Sequence, residues 1–323
     1  MSKARYLVSD DFMADPSAHV FEDKIYIYPS HDWESGILEN DHGDHFDMKD
    51  YHVFSMDDMD AEAVDHGKVL EVADIPWGGR QLWDSDVATK NGKYYLYFSL
   101  KDKTDVFRLG VAVSDTPYGP FIPEENPIKG SYSIDPCAFQ DDDGSHYLYF
   151  GGIWGGQLQY YRNNKMTYPM DLPHWHDVAL CPKVVKLTED MLQFDEEPKD
   201  LVILDQEGNP LKQGDLERRF FEASWMHKYG DKYYFSYSTG DTHLLCYAIG
   251  DNPYGPFTYQ GVILTPVVGW TTHHSILQFK GKWYLFYHDC VPSGGKTWLR
   301  SMKVVELEYD DHGLIKTLNG QEC

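Results

Sequence analysis

The stretch SIDPCAFQDDDGSHYLYFGG at residues 133–152 contains the pattern that decides the fold. The acidic residue Asp135 precedes a short apolar run, Asp143 and Gly144 form a turn, and an aromatic run at 146–150 returns. Asp-Gly between two apolar runs is a strong hairpin signal, because glycine accepts the positive φ that such turns require. The second run alternates large apolar residues with others, as a half-buried strand does. The stretch therefore predicts a β-hairpin that begins with a carboxylate.

The same hairpin pattern recurs along the chain. Its copies lie at residues 15–28, 86–98, 133–152, 222–237 and 274–287. A second repeat, SDTPYGPF at 114–121 and GDNPYGPF at 250–257, follows an apolar strand each time and predicts a turn before a short outer strand. All-β units at this spacing suit radial repetition around an axis, so we predict one all-β domain, a five-bladed β-propeller that spans residues 1–323. A sandwich would explain the strands but not the matching hairpins.

Three segments fall outside the repeat. The last strand, at 298–309, is expected to complete a blade with the N-terminal segment. Residues 155–214 are predicted to supply outer strands of the third blade, at 184–187 and 201–204. The polar insertion at 31–50 contains several histidines and acidic residues without fixed ligand spacing, which favours a solvated loop at the rim of a pocket over a metal site.

Composition limits the partners. The formal net charge of −24 argues against nucleic acid and anionic membrane surfaces, and it is compatible with a neutral ligand such as a sugar. Five scattered cysteines without CxxC spacing predict reduced thiols. The N-terminus has no apolar signal-like run, and no apolar run is long enough to span a bilayer, so we predict a cytoplasmic protein.

The inner strand of each propeller blade lines the axis, so the first residues of the five copies should converge at one mouth. These residues are Asp15, Asp86, Asp135, Glu222 and the pair His273-His274. Acidic residues at strand starts can also cap turns, and the pattern alone leaves both interpretations open.

Other observations favour chemistry at these positions. Proline follows both Asp15 and Asp135, and proline suits the first residue of a strand because it lacks a backbone donor. Glu222 follows two phenylalanines, and a charged group in apolar surroundings needs a partner or a proton. Several carboxyl groups around one axis would push their pKa values apart, which is how an acid and a base are distinguished. We therefore hypothesise a glycoside hydrolase that uses two carboxyl groups.

Four motifs carry a family resemblance. Asp15 in Ala-Asp-Pro-Ser, Asp135 in Ser-Ile-Asp-Pro-Cys, Glu222 in Phe-Glu-Ala-Ser and His273 in Thr-His-His-Ser lie in this order along the chain. Together they resemble glycoside hydrolase family 43, whose members are five-bladed propellers that act as β-xylosidases, α-L-arabinofuranosidases and arabinan- or xylan-cleaving enzymes. The resemblance covers essentially the whole chain. It is the combination of motifs, not any one of them, that is specific.

The resemblance implies roles for individual residues. Asp15 matches the general base, Glu222 matches the general acid, and Asp135 matches a third acid that raises the pKa of Glu222 and orients it. Members of the family invert the anomeric centre, so the carboxyl groups of Asp15 and Glu222 are expected to lie roughly 6.5–9.5 Å apart, with room for water. Arg300, in Trp-Leu-Arg-Ser, matches an arginine that reaches the sugar.

The resemblance also implies a cofactor and a sugar pocket. His273 matches an axial histidine that binds a largely water-coordinated calcium ion in many members, although calcium prefers oxygen ligands. Neighbouring His274 is either a second ligand or a core residue. Aromatic rings beside the inner strands can stack on a sugar, and we assign substrate contacts to Trp33, Trp83, Trp154 and His31.

The sequence departs from the family in two places. Many relatives have Trp-Ala-Pro-Asp at the second blade, whereas this chain has Trp83-Asp84-Ser85-Asp86, so the role of that edge is open. The C-terminal β-sandwich of many xylosidases is absent. The insertion at 31–50 or a neighbouring subunit would then close the pocket, and a homo-oligomer is one expectation.

The favoured interpretation is an exo-acting β-xylosidase that acts on short oligosaccharides, with α-L-arabinofuranosidase activity as a further expectation. An arabinan-directed enzyme is the alternative within the family. A non-catalytic sugar-binding propeller would not need three acids at matched blade positions. A β-fructosidase on the same fold should show a Trp-Met-Asn-Asp-Pro signature, which the N-terminal region lacks.

Overall fold

The computed structural model describes residues 3–270 and 273–322, and these residues form five sheets. Each sheet is built mainly from antiparallel neighbours in chain order, which is the arrangement of a five-bladed β-propeller and confirms the predicted fold. Neighbouring blades contact each other through their inner strands.

The strands of the first three blades follow one another along the chain. The first blade contains β2 (Met13–Phe21), β3 (Lys24–His31), β4 (Asp50–Met56) and β5 (Val64–Glu71). The second contains β6 (Gly78–Lys90), β7 (Lys93–Asp102), β8 (Phe107–Ser114) and β9 (Ile122–Pro123). The third contains β10 (Cys137–Gln140), β11 (His146–Phe150), β12 (Lys183–Lys186) and β13 (Lys199–Asp200).

The last two blades each take in a strand from elsewhere in the chain. The fourth contains β15 (Glu222–Tyr229), β16 (Lys232–Ser238), β17 (Leu245–Gly250), β18 (Phe257–Leu264) and, at its outer edge, β14 (Ile203–Leu204). The fifth contains β19 (Ser275–Phe279), β20 (Lys282–Asp289), β21 (Ser301–Leu307) and β1 (Arg5–Tyr6).

The N-terminal strand closes the ring. Arg5 pairs with Val304 and Tyr6 pairs with Lys303, so β1 is the outer strand of the fifth blade. This pairing confirms that the last strand completes a blade with the N-terminal segment. It joins residues that are almost the whole chain apart and leaves the propeller without a gap between its first and last blades.

The segment between the third and fourth blades differs from the prediction. A single strand was expected at 201–204, in the third blade. Instead, the outer strand of that blade ends at Asp200, and Ile203–Leu204 pairs in parallel with β18 of the fourth blade, where Ile203 faces Phe257. The backbone amide of Phe257 also donates to the carbonyl of Val202. The segment therefore passes from one blade to the next.

The turns of the inner hairpins set the strand register. Lys90 pairs with Lys93 across the two-residue loop Asn91-Gly92, whose φ values are +53° and +73°. Positive φ at both loop residues is the requirement of a type I′ turn, whose twist matches that of the flanking strands. Because this register is fixed, the opposite end of the inner strand reaches the axis at a defined residue.

The repeated Pro-Tyr-Gly-Pro turns join neighbouring blades. The buried Tyr28 hydroxyl of the first blade donates to the carbonyl of Pro117 at 2.6 Å, and the buried Tyr149 hydroxyl of the third blade donates to Pro253 at 2.8 Å. A buried tyrosine needs a partner for its hydroxyl group. The two turns therefore recur because each accepts a hydrogen bond from the blade before it.

The helices of the described residues are three short 3-10 turns, Val72–Asp74, Trp154–Gly156 and Leu158–Tyr160. None of the helices within the described ranges is long or apolar enough to cross a membrane. Cys137, Cys181, Cys246 and Cys290 are free thiols, and Cys323 lies outside the described residues.

Candidate active site

A cavity of about 500 Å³ lies where the inner strands of the blades converge. Ligand sites of proteins commonly enclose about 300–1,000 Å³. The predicted site residues that line this cavity are Asp15, Trp83, Asp135, Trp154, Glu222, His273 and Arg300. The structure thus brings together the three acids, the histidine and the arginine that the sequence motifs singled out.

His31 and Trp33 do not line the cavity. They lie beside each other at the end of β3, with ring centroids 4.7 Å apart, and the ring of Trp33 is 40% exposed. Asp86 also lies elsewhere, which corrects its predicted place at the mouth. It contacts Nε2 of His19 at 2.5 Å and accepts a hydrogen bond from the backbone amide of Ala138 at 2.7 Å, so it joins neighbouring inner strands.

Asp84, which the sequence analysis left open, takes the axial place in the second blade. Its Oδ1 lies 3.1 Å from Nδ1 of His273. A β-bulge interrupts the pairing of β6 with β7 between Leu82 and Ser85, and Asp84 lies within it. Bulges re-aim side chains and are frequent beside active sites. The same bulge occurs at Asp15 in β2, and Asp84 lies as far before the loop of its hairpin as Asp15 does, so an alignment counted from the turns selects Asp84 and not Asp86.

Asp15 is buried and uses only one of its carboxylate oxygens among the described residues. Its Oδ1 accepts a hydrogen bond from Arg300 at 2.8 Å, and its Oδ2 has no hydrogen-bond partner within that part of the chain. The backbone amide of Asp15 donates to Nδ1 of His288 at 3.1 Å. Asp15 therefore lines the cavity with one oxygen fixed by Arg300 and one buried oxygen that no described residue occupies.

Burial raises the pKa of Asp15 to about 7, against the charge of Arg300, which lowers it. The charge of Asp84 adds to the increase. Near neutral pH, Asp15 is therefore a weak base of the kind that general-base catalysis requires.

Arg300 is held by Asp32, a residue that the sequence analysis did not select. Nε of Arg300 donates to Oδ2 of Asp32 at 2.8 Å and Nη2 donates to Oδ1 at 2.7 Å, which makes a two-pronged pair. Both side chains are buried. Such pairs fix the plane of the guanidinium group. Asp32 thus sets the direction in which Arg300 reaches Asp15.

Asp135 lies between Asp84 and Glu222. Its Oδ2 accepts a hydrogen bond from the backbone amide of Ala223 at 2.6 Å. Burial and the charge of Asp84 raise the pKa of Asp135 well above its usual range, with a further contribution from Glu222. The protonated Asp135 donates a hydrogen bond to Asp84, which stays ionised. Burial alone would raise the pKa of Asp84, but His273 and Asp135 hold this pKa far below the usual range.

Glu222 begins β15 and faces the cavity. Burial raises its pKa to about 8, and the charge of Asp84 is the next largest cause. Glu222 is therefore protonated at neutral pH and can donate a proton. The sequence analysis attributed the tuning and orientation of Glu222 to Asp135, which accepts a hydrogen bond from the backbone amide of the residue after Glu222. The structure adds the charge of Asp84 as a second influence on Glu222.

The 31–50 insertion forms one wall of the cavity. Residues Glu39, Asn40, Asp41, Gly43, His45, Phe46 and Met48 line it. Nε1 of Trp83 donates to the carbonyl of Phe46 at 2.8 Å, and a Cβ atom on Gly43 would lie 2.7 Å from the Trp83 ring. The loop therefore packs closely on Trp83, which is buried as part of the wall, whereas Trp154 is 40% exposed.

The chain is similar to known proteins over almost its whole length. The family model for glycosyl hydrolases family 43 matches residues 5–315. A xylosidase/arabinosidase of Bacteroides ovatus is 70% identical over 322 residues, which are 99% of each chain. The solved structure of the β-xylosidase RS223 is 71% identical, with a TM-score of 0.98, and the match covers 99% of this chain and 100% of that one.

A third relative was solved with a ligand. CoXyl43, a family 43 β-xylosidase/α-arabinofuranosidase from a compost microbial metagenome, is 59% identical with a TM-score of 0.97. The match covers 99% of this chain and 98% of CoXyl43, whose structure is a complex with xylotriose in a calcium-free form.

We predict that Asp32→Asn destabilises the protein, because it weakens the carboxylate fork on the buried guanidinium group of Arg300. Breaking a buried ion pair typically costs about 3–5 kcal/mol in the free energy of unfolding. The matched control is Asp105→Asn, since Asp105 makes a similar fork with Arg80, at 2.7 and 3.0 Å, on the surface. Exposed pairs contribute about 0–1 kcal/mol. Denaturant unfolding measures both, and equal losses for the two variants would contradict the prediction.

Proposed function

The chain belongs to glycosyl hydrolases family 43, and from this premise we propose that it removes terminal xylose from short xylo-oligosaccharides, with inversion at the anomeric carbon. The observation that carries the proposal is a pair of groups with opposite protonation needs in one cavity. One carboxylate oxygen of Asp15 has no hydrogen-bond partner among the described residues, and the pKa of Asp15 is about 7. The pKa of Glu222 is about 8, so Glu222 still holds its proton at neutral pH.

The reaction follows from these two groups. A water molecule at Oδ2 of Asp15 loses a proton to that oxygen as its own oxygen bonds to the anomeric carbon. The bond from that carbon to the glycosidic oxygen breaks on the opposite side, and Glu222 gives its proton to the departing oxygen. No bond to the protein forms, so the product has the inverted configuration. Arg300 holds the other oxygen of Asp15 and keeps this carboxylate from turning.

The cavity supports a small neutral substrate. Its wall carries the acidic residues Glu39, Asp41 and Asp241 together with the rings of Trp154 and Trp270. Acidic side chains at the rim repel anionic sugars, and aromatic faces attract the C–H faces of neutral ones. The loop that walls the cavity supports action at chain ends. Because close relatives are named xylosidase/arabinosidase, we extend the proposal to terminal α-L-arabinofuranose.

We also propose a divalent cation on the axis. Asp15, Asp84 and His273 each offer a ligand atom, and these atoms lie within 4.8 Å of one another. Two carboxylates in this arrangement suit the preference of calcium for oxygen, so the residues fit the ion. When bound, the cation would supply positive charge beside Asp15 and Asp84.

The first test is hydrolysis of aryl β-D-xylopyranosides by the unmodified protein and by Glu222→Gln. We expect the variant to lose at least about 10²-fold in kcat/KM on substrates with poor leaving groups, because general-acid catalysis contributes about 10²–10⁴-fold. The loss should be much smaller on a dinitrophenyl glycoside, which departs without a proton.

Two controls make this test decisive. Proton NMR of the first product should show α-xylose from a β-xyloside, and β-xylose would contradict inversion. Parallel assays with an aryl α-L-arabinofuranoside test the second sugar. If the unmodified protein cleaves neither glycoside nor xylobiose, the proposed substrate is wrong.

The second prediction concerns pH. In chelated protein, kcat/KM should fall below about pH 7, because Asp15 takes up a proton there, and above about pH 8, because Glu222 then loses its proton. Glu222→Gln should retain the acid limb and lose the alkaline limb. A profile of Glu222→Gln that keeps its alkaline limb would assign that limb to another group.

The third prediction concerns the cation. Removing it with a chelator should lower kcat/KM and move the acid limb to higher pH, because positive charge beside Asp15 lowers the pKa of Asp15. Added calcium should reverse both changes in the unmodified protein but not in His273→Gln. An acid limb that does not move on chelation and readdition would exclude a cation next to Asp15.

A further inference from the structure

A second cluster of ligand-type side chains lies in the first blade, outside the cavity lining. His31, Asp50 and His52 each offer a ligand atom, and these atoms lie within 4.8 Å of one another. His31 is the last residue of β3, Asp50 is the first residue of β4, and His52 lies two residues further along β4. Residues two apart on a strand face the same side, so Asp50 and His52 point together towards the end of the neighbouring strand.

The contacts within this cluster are close. Nδ1 of His31 lies 2.6 Å from Oδ1 of Asp50, and the rings of His31 and His52 are edge to face with centroids 5.1 Å apart. Two further carboxylates complete the surroundings. Oδ2 of Asp11 lies 3.2 Å from Nε2 of His31, and Oδ2 of Asp65 lies 3.0 Å from Nδ1 of His52.

The cluster has an excess of negative charge. Three aspartates surround two imidazole rings, and the ion pairs of the nearby lysines are with other acids, although the charge of Lys68 also acts on Asp50. Lys49 pairs with Asp47 at 3.4 Å, and Lys68 pairs with Glu71 at 2.7 Å. If both histidines are neutral, the five side chains of the cluster carry three negative charges in total. A divalent cation would compensate part of this charge, and the two imidazole rings would supply nitrogen ligands for it.

From these contacts we infer that His31, Asp50 and His52 form a binding site for zinc or a similar late first-row metal ion. Imidazole nitrogen with carboxylate oxygen suits zinc, and three protein ligands leave the fourth tetrahedral position for water. Ligands about 2.0–2.2 Å from one ion lie about 3.5 Å apart, so small rotations of side chains suffice. Calcium and magnesium prefer oxygen ligands and would bind poorly here.

The place of this site in the fold gives the ion a mechanical role. His31 and Asp50 are the two ends of the insertion that walls the cavity, and Asp32, the partner of Arg300, directly follows His31. Zinc at the cluster would tie both ends of this loop to the first blade. The ion would act on the active site through the position of Asp32 and not by contact with substrate.

The test is equilibrium dialysis of the full chain against zinc, followed by metal analysis. The variants are His31→Gln and His52→Gln, with His66→Gln as a matched control, because His66 lies in the same sheet and contacts Ser55 at 2.8 Å outside the cluster. His273→Gln removes the axial ligand and reports any zinc bound at the cavity. Thermal unfolding without metal checks that each variant is folded. If His31→Gln does not fold, His52→Gln alone tests the site.

We expect His31→Gln and His52→Gln to weaken one bound equivalent of zinc by at least about tenfold, because loss of even an outer-shell partner typically costs 10–100-fold. His66→Gln and His273→Gln should retain that equivalent. Unchanged binding in His52→Gln overturns the site, as does a loss that appears only in His273→Gln or equally in His66→Gln. Dialysis measures binding without turnover, so the result is independent of the proposed hydrolase activity.

Discussion

The charge balance of the propeller axis is the constraint on which the site depends. Asp15, Asp84, Asp135 and Glu222 share a buried cavity with Arg300 and His273 as the neighbouring cationic groups among the described residues. Four ionised carboxylates cannot be stable there, because desolvation and mutual repulsion both favour the neutral form. The charge of Asp84 is the one that His273 and Asp135 stabilise, so the protons are held by Asp135 and Glu222. The division of labour between acid and base follows from this balance.

The backbone that holds these groups is strained. Asp15 and Asp135 have φ values of +48° and +60°, and Ala223, which follows Glu222, has +66°. A left-handed conformation costs a non-glycine residue about 1–3 kcal/mol and persists only where the surroundings impose it. Bulges at Ala14–Ser17 and Glu222–Trp225 coincide with these residues. The paired strands of each blade and the closure of the ring by β1 therefore supply the energy that keeps the acids turned towards the axis.

The sequence predicted the fold because the repeated hairpins are local signals. Strand alternation, turn residues and the repeated Pro-Tyr-Gly-Pro element each depend on neighbours in the chain, and the structure contains all of them. Asp84 was also within reach of the sequence, because it lies as far before the Asn91-Gly92 loop as Asp15 lies before the loop of its own hairpin. The role of Asp32 depends on longer-range geometry, since the Asp32–Arg300 pair joins residues 268 positions apart. Such a pair has no signature in one sequence.

The insertion at 31–50 joins an exposed loop to fixed ends. Its middle is exposed at the rim of the cavity, as its charges suggested, and its two ends are fixed among buried groups. His31 contacts Asp50 on one side, and the adjacent Asp32 makes a fork with Arg300 on the other. Successive residues of an extended strand point to opposite faces, so His31 points into the first blade while Asp32 points towards the axis. A displacement of this strand end would therefore change the position of Arg300 and, through it, the orientation of Asp15. The loop that walls the cavity is in this way linked to the base Asp15 through Asp32 and Arg300.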